Sequence, residues 1–348
     1  MYAAVALSGG KPVTVDSSQG PATLLVGFNR PDLLERLLDA VLLARPARLY
    51  IAVDGPRSSQ SSDVALVERS VALARRAATL HGAQLRIRTE NLGCRSGMVD
   101  AIDWFFSNES EGVILEDDCI PGIDFFRFAQ ELLARYRHDE RVTTISGHGA
   151  LRALGLPSDA YSFVRTPMIW GWATWRRAWA QLDRNGSAWK ELRDSPWLRY
   201  RGKGHRDFER HWHSAFEGAE SGAIDSWAYG WTFSSWLHDS LTIVPHRNLV
   251  ANVGFRPDAT HTYAEGPSWV GTTEAITFPL RHPGAVAVNE RLERFLQRNS
   301  FGVQRSPLDA RRLRAELRRF GALVISETAF GRSWLERRRA VLRSRRVT

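Results

Sequence analysis

The rhythm of the first half most constrains what this chain can fold into: short apolar runs alternate with stretches of helical period. Thr23-Leu24-Leu25-Val26-Gly27-Phe28 is an apolar run of strand length. Asn29-Arg30-Pro31-Asp32 then opens a helix, with Pro31 suited to a first turn, where its missing N–H goes unneeded. Leu33, Leu34, Leu37, Leu38, Val41 and Leu42 recur as a helical stripe, and Pro46 ends it. The same alternation predicts strands over 49–53, 84–88, 112–115 and 142–146, and helices over 63–80, 96–106 and 125–137. Repeated βαβ units imply an α/β fold, a mostly parallel sheet with helices on both faces. Ligands of such sheets bind beyond the carboxyl ends of the strands. Three of those ends carry Asn29-Arg30, Asp54-Gly55 and Glu116-Asp117-Asp118.

Charge separates the chain into a neutral body and a basic end. The net charge is +9, and residues 304–348 hold 13 Arg, no Lys and 4 acids, so 13 − 4 = +9 accounts for all of it. Leu313, Leu317 and Phe320 share one helical face in that stretch, a pattern that fits an anionic membrane surface or a solvated Arg-rich tail. No aromatic-basic platform accompanies the charge, which argues against nucleic acid. No run approaches the ~20 apolar residues of a membrane span. The start of the chain does not read as a secretory signal. Two cysteines, Cys94 and Cys119, make no disulfide framework, and no Cys/His cluster has zinc spacing, so a reducing cytoplasm is the expected compartment.

Three adjacent acids after the buried run Val113-Ile114-Leu115 are the strongest chemical signal. On an extended segment successive side chains alternate, so a division of roles among Glu116, Asp117 and Asp118 is expected. Carboxylates of this kind suit Mn2+ or Mg2+, with substrate phosphates and water completing the shell. The bland alternative is a solvated acidic turn before the next helix.

Here the residues resemble a known family. Val113 through Pro121, followed by Phe125-Phe126, resembles the acidic motif of GT-A-fold glycosyltransferases. The likeness is to N-acetylglucosaminyltransferase I and to bacterial family-2-like, hemolysin-associated glycosyltransferases. Asp54-Gly55-Pro56-Arg57, Asn91-Leu92-Gly93, Trp170-Gly171-Trp172-Ala173-Thr174-Trp175, Asn252-Val253-Gly254-Phe255 and Asp258-Ala259-Thr260-His261-Thr262 resemble the bacterial group in the same order. The resemblance implies a sugar transfer from a nucleotide-diphosphate donor to a glycan or lipid-linked acceptor, in bacterial polysaccharide biosynthesis at the cytoplasmic side of the membrane. It implies that Arg30 meets the diphosphate or base, Asp54 the nucleobase, Asp117 the ribose and Glu116 the donor sugar. Asp118 would hold the metal. His261 is a further metal candidate, and Arg95 a second phosphate contact at a strand-to-helix loop.

Residues 1–20 then read as a disordered lead and 21–150 as the nucleotide-sugar half. Residues 151–290 read as the Trp-rich acceptor half of the same domain, and 291–348 as a basic helical extension. One departure stands out. The related bacterial sequences carry an Asp directly after the first Trp of the Trp-x-Tyr-x-Trp block, where this chain has Ala228. The acceptor's base would then be Asp225 or Asp258, although Asp225 also fits an N-cap ahead of Ser226-Trp227. That departure keeps a non-catalytic sugar- or membrane-binding protein in view. A sugar-1-phosphate nucleotidyltransferase is the other alternative, but Phe28-Asn29-Arg30-Pro31 is not the Gly-rich basic loop it needs. The Trp blocks are expected to be mostly core, with one or two rings at the acceptor.

Overall fold

The computed structural model describes residues 4–5, 13–14, 20–149, 154–255 and 270–303. At the start, β1 (Ala4–Val5) pairs with β2 (Val13–Thr14). The alternating first half gives β3 (Thr23–Gly27), α1 (Pro31–Leu43), β4 (Leu49–Val53), α2 (Ser62–His81) and β5 (Gln84–Ile87). It continues through α3 (Gly93–Asn108), β6 (Glu111–Glu116), β7 (Cys119–Pro121), α4 (Ile123–Tyr136) and β8 (Val142–Ser146). Each strand and helix predicted between 23 and 146 is present, while the basic helical extension predicted for 291–348 is described only as far as Val303 and its stripe Leu313, Leu317 and Phe320 lies outside the described residues. Pro31 does open α1, whose stripe Leu33, Leu34, Leu37, Leu38 and Val41 is buried. Gly82 closes α2 in the left-handed conformation, the region glycine enters without a Cβ clash.

The second half adds β9 (Tyr161–Val164), β10 (Trp172–Trp175), α5 (Arg176–Trp179), α6 (Ser187–Leu192) and α7 (Trp197–Arg201). After these come α8 (Arg206–Ser221), α9 (Trp227–Leu237), β11 (Leu241–Pro245), β12 (Val250–Asn252) and α10 (Glu290–Phe301). One eight-stranded sheet collects strands from both halves in the order β5-β4-β3-β6-β10-β8-β11-β9. The parallel pairs β3/β4, β4/β5, β3/β6 and β8/β11, with β10 antiparallel to both β6 and β8, leave β9 and β10 as the reversed strands. The fold is therefore α/β with a mostly parallel sheet, as the rhythm predicts. The short pair β7/β12 sits just beyond the end of β6.

Every residue of β4, β8, β9, β10 and β11 is buried, which explains why these strands read as apolar runs rather than alternating ones. The tryptophans are mostly core, as expected. Trp172 stacks on Trp227 at 5.4 Å, and Trp179 lies 5.4 Å from Trp231. Trp189, Trp212 and Trp236 form a second cluster with Phe208, Phe216 and Phe233. Each fully buried Leu or Phe of such a core contributes roughly 1.5–3 kcal/mol. Among the described residues no helix is long and apolar enough to cross a membrane.

Candidate functional site

The carboxyl ends of β3, β4 and β6 and the start of α3 surround a cavity of about 290 Å³. Glu116, Asp117 and Asp118 all line it. The alternation expected of an extended segment does not hold here, because Asp117 and Asp118 form a turn between β6 and β7. That turn brings all three carboxylates to one wall. Asp117 accepts the Phe28 N–H at 3.4 Å, and the Arg30 guanidinium stands 3.7 Å from Asp117 and 3.5 Å from Asp118. Burial raises the pKa of all three acids, and mutual repulsion adds to it for Glu116 and Asp117; Arg30 offsets part of the effect. Behind them, Gly254 has no room for a side chain: a Cβ there would meet Asp118 Oδ2 at 2.2 Å. The Asp118 carbonyl also accepts the Val253 N–H at 2.9 Å, so the segment just after β12 is pinned onto the cluster.

Across the cavity Asp54 ends β4. Its carboxylate accepts the Gly55 N–H at 3.0 Å, the Leu92 N–H at 3.0 Å and the Asn91 amide at 3.0 Å. Asp54 thus ties the end of β4 to the loop that starts α3. Gly55 is required there, since a Cβ would sit 2.5 Å from the Glu90 backbone. Asp225 reaches the same helix from the second half of the chain. It accepts the N–H groups of Cys94 at 2.8 Å and Arg95 at 2.9 Å. The cap it makes is therefore on α3, not on α9, whose N-cap residue Ser226 makes no side-chain cap bond. Gly93, at φ 77°, leaves space for that carboxylate.

Arg95 does not line the cavity, and its guanidinium donates instead to the Ala219 carbonyl of α8. Asp258 and His261 lie outside the described residues. Arg57, part of a motif but given no role by the sequence, and Arg86 and Arg88, which it did not single out, fill the remaining wall. Arg57 is held by buried Asp63 at 2.6 and 2.9 Å and lies 5.3 Å from the Phe28 ring. Arg86 makes a bidentate pair with Asp100 at 2.6 Å, and Arg88 joins the same acid. Strand-end position is the signal that could have found Arg86 and Arg88, since they flank the end of β5. Both thiols are free, and burial pushes the Cys94 pKa up to about 12 and the Cys119 pKa well above its ordinary value, so neither serves as a thiolate nucleophile.

The charge sum around the cavity is lopsided. Asp54, Asp100, Glu116, Asp117, Asp118 and Asp225 face Arg30, Arg57, Arg86 and Arg88, so 4 − 6 = −2 with every acid ionised. Among the described residues no three His, Cys, Asp or Glu side chains form a metal cage. The donor set therefore fits a hard divalent ion held by one or two carboxylates and completed by ligand oxygens and water, not a closed structural site.

No protein-family model matches the chain, and no curated protein matches it in sequence. Among solved structures it is similar to the mannosyltransferase PcManGT from Pyrobaculum calidifontis, solved in complex with GDP-Man and Mn2+. The identity is 13%, the match covers 64% of this chain and 88% of that one, and the TM-score is 0.36. A likeness that distant leaves the function to the site's own residues.

Proposed function

We propose that the protein is a glycosyltransferase, moving a sugar from a nucleotide-diphosphate donor to a hydroxyl of a glycan or lipid-linked acceptor. The observation that carries this is the acid-rich cavity at the carboxyl ends of a parallel sheet, with Arg30 set against Asp117 and Asp118. A diphosphate leaving group brings more negative charge into a site already short of cations. Its binding there requires a divalent ion, which would be held at Asp118 as Mn2+ or Mg2+ and would supply leaving-group charge stabilisation without proton transfer. Arg30 then faces the diphosphate. Phe28 and Arg57 offer a flat surface for a base, and Asp117 would take a ribose hydroxyl. Asp54 keeps the α3 loop in place and retains acceptor capacity toward a base N–H. Glu116 faces the donor sugar. In this reading residues 21–150 hold the donor and 151–290 the acceptor, while 291–348 touches an anionic membrane face.

A second reading has one observation in its favour. Both oxygens of Asp225 already accept N–H groups of α3, and position 228 is alanine, so no carboxylate there is committed to an acceptor hydroxyl. The protein would then bind the nucleotide sugar without turnover, unless Asp258 acts as the base.

The test is thermal stabilisation by UDP-, GDP- and dTDP-sugars, GDP-mannose among them, with and without Mn2+. Wild type is expected to show a metal-dependent shift with one base, and Asp118→Ala to show none. Absence of any shift in well-folded wild type would overturn the nucleotide site. Binding without release of the nucleotide diphosphate in the presence of acceptor would favour the second reading.

A further inference from the structure

The opposite rim of the sheet holds a second cavity, of about 350 Å³, built from the segment after β9, the α7–α8 connection and α10. Its place follows from topology. β9 runs antiparallel to β11, and Val164 pairs with Thr242 near the start of β11, so Arg165 lies at the amino ends of the parallel strands. The acids of Glu116, Asp117 and Asp118 lie at the carboxyl ends. The two cavities share no lining residue.

This cavity is cationic. Arg165, Arg201, Lys203, Arg291, Arg294 and Arg298 line it against Glu290 and Glu293, which leaves 6 − 2 = +4. Both acids are already engaged. Glu290 pairs with Arg165 at 2.7 Å and Lys203 at 3.1 Å. Glu293 is buried and accepts the Arg165 and Thr166 N–H groups and the Thr166 hydroxyl. Arg291, Arg294 and Arg298 follow i, i+3, i+7 spacing and are exposed on one face of α10.

Arg201 supplies the independent observation. Its side chain is only 11% exposed, lies 5.4 Å from the Trp236 ring, and gives Nη1 to Asp239 at 2.7 Å. Its Nε and Nη2 are buried and have no hydrogen-bond partner among the described residues. A guanidinium kept from water with two donor atoms unmatched is costly, and an acceptor oxygen reaching Nε and Nη2 from the cavity would relieve that cost. The first turn of α8 borders the same cavity through His205 and Phe208. Phe208 and Trp236, stacked at 5.3 Å, give the floor an apolar surface.

We propose that this rim cavity binds a phosphate monoester or diphosphate group, with Arg201, Arg294 and Arg298 as its recognising cations. Bidentate guanidinium–phosphate pairing is the chemistry the cluster fits. The group has two sources, a soluble diphosphate or the headgroup of a phospholipid. The site does not depend on the glycosyltransferase reading, because diphosphate in the acid-rich cavity needs a divalent ion and this one does not.

The test is hydrogen exchange of the full chain in EDTA at fixed ionic strength. One arm adds inorganic diphosphate. The other adds phosphatidylcholine vesicles with or without phosphatidate. Slowed exchange at 201–208 and 290–299 is expected, with an affinity weakened about tenfold in the Arg294→Ala/Arg298→Ala pair, since each removes one charge-assisted contact. Arg201→Met, which keeps the bulk without the charge, should abolish the effect. Protection by diphosphate assigns the soluble source, and protection by phosphatidate vesicles alone assigns the headgroup. No protection at these segments, or equal affinity in every variant, overturns the proposal.

Discussion

The two rims of the sheet carry opposite defects. At the carboxyl ends, three carboxylates crowd around one arginine, and burial raises the pKa of each. At the amino ends, six cations face two acids, and a buried guanidinium keeps two unmatched donor atoms. A core built only for stability would hold neither arrangement, because incompletely paired buried charge costs more than an apolar side chain of equal volume. The comparison teaches that the two charge imbalances suit ligands of opposite sign, a cation at one rim and an anion at the other. It also yields predictions of stability whose signs differ from those of ordinary core substitutions.

The largest effect is expected at the acid rim. A carboxyl whose folded pKa is raised binds its proton more tightly folded than unfolded. It therefore contributes stability below its ordinary pKa and loses that contribution as pH rises through the raised value. Metal-free wild type should match the Glu116→Gln/Asp117→Asn variant near pH 4 and fall behind it as pH rises. Near pH 8.5 the variant should be more stable by about 2–4 kcal/mol in urea unfolding. Mn2+ should narrow the gap by stabilising wild type alone. A variant that is no more stable than wild type at high pH would show that these acids are not in conflict, and half of the comparison would fall.

A smaller effect of the same kind is expected at the basic rim. Arg201→Met removes a buried charge whose partner, Asp239, is 74% exposed at its side chain and so regains water. The variant should unfold about 1–2 kcal/mol later in phosphate-free buffer, in line with apolar replacement of buried ions. The advantage should shrink when diphosphate is added, because only wild type gains from it. A loss of more than about 1 kcal/mol instead would mean that the Asp239 pair and the Trp236 contact outweigh burial of the charge.

How much of this the sequence disclosed differs between the rims. The strands, the helices and the acid cluster were legible because each is local: an apolar run followed by polar residues at a strand end. Even so, local reasoning treated residues 116–118 as extended, and the turn at Asp117-Asp118 puts all three acids on one wall. The arginines at 86 and 88 went unnoticed and Arg57 was given no role because their placing depends on Asp63 and Asp100, partners on α2 and α3. Of the basic cavity only its α10 arginines were legible, as the start of the basic extension from 291. Arg165, Arg201 and Arg294 come together only through the antiparallel return of β9 and the docking of α10 on Thr166, and no spacing along the chain records that. Arg95 illustrates the reverse error: a loop arginine suited to phosphate is turned to a helix carbonyl.

Asp225 gives the smallest stability effect and the sharpest division between readings of the acid rim. Its carboxylate closes the first turn of α3 from 131 residues away in sequence. Asp225→Ala should therefore cost about 1 kcal/mol, the usual worth of a cap at a helix N-terminus. Asp225→Asn keeps an acceptor oxygen and should recover most of that loss. Release of nucleotide diphosphate from the donor that binds then separates the roles. If Asp225 takes the acceptor's proton, Asn cannot replace it, and turnover should fall on the order of 100-fold or more in both variants. If it only holds α3, turnover should follow stability, dropping in the alanine variant and returning in the asparagine one. A wild type without turnover under any donor and acceptor would make the cap its whole role, and the acid rim would be a site that binds a nucleotide sugar and leaves it intact.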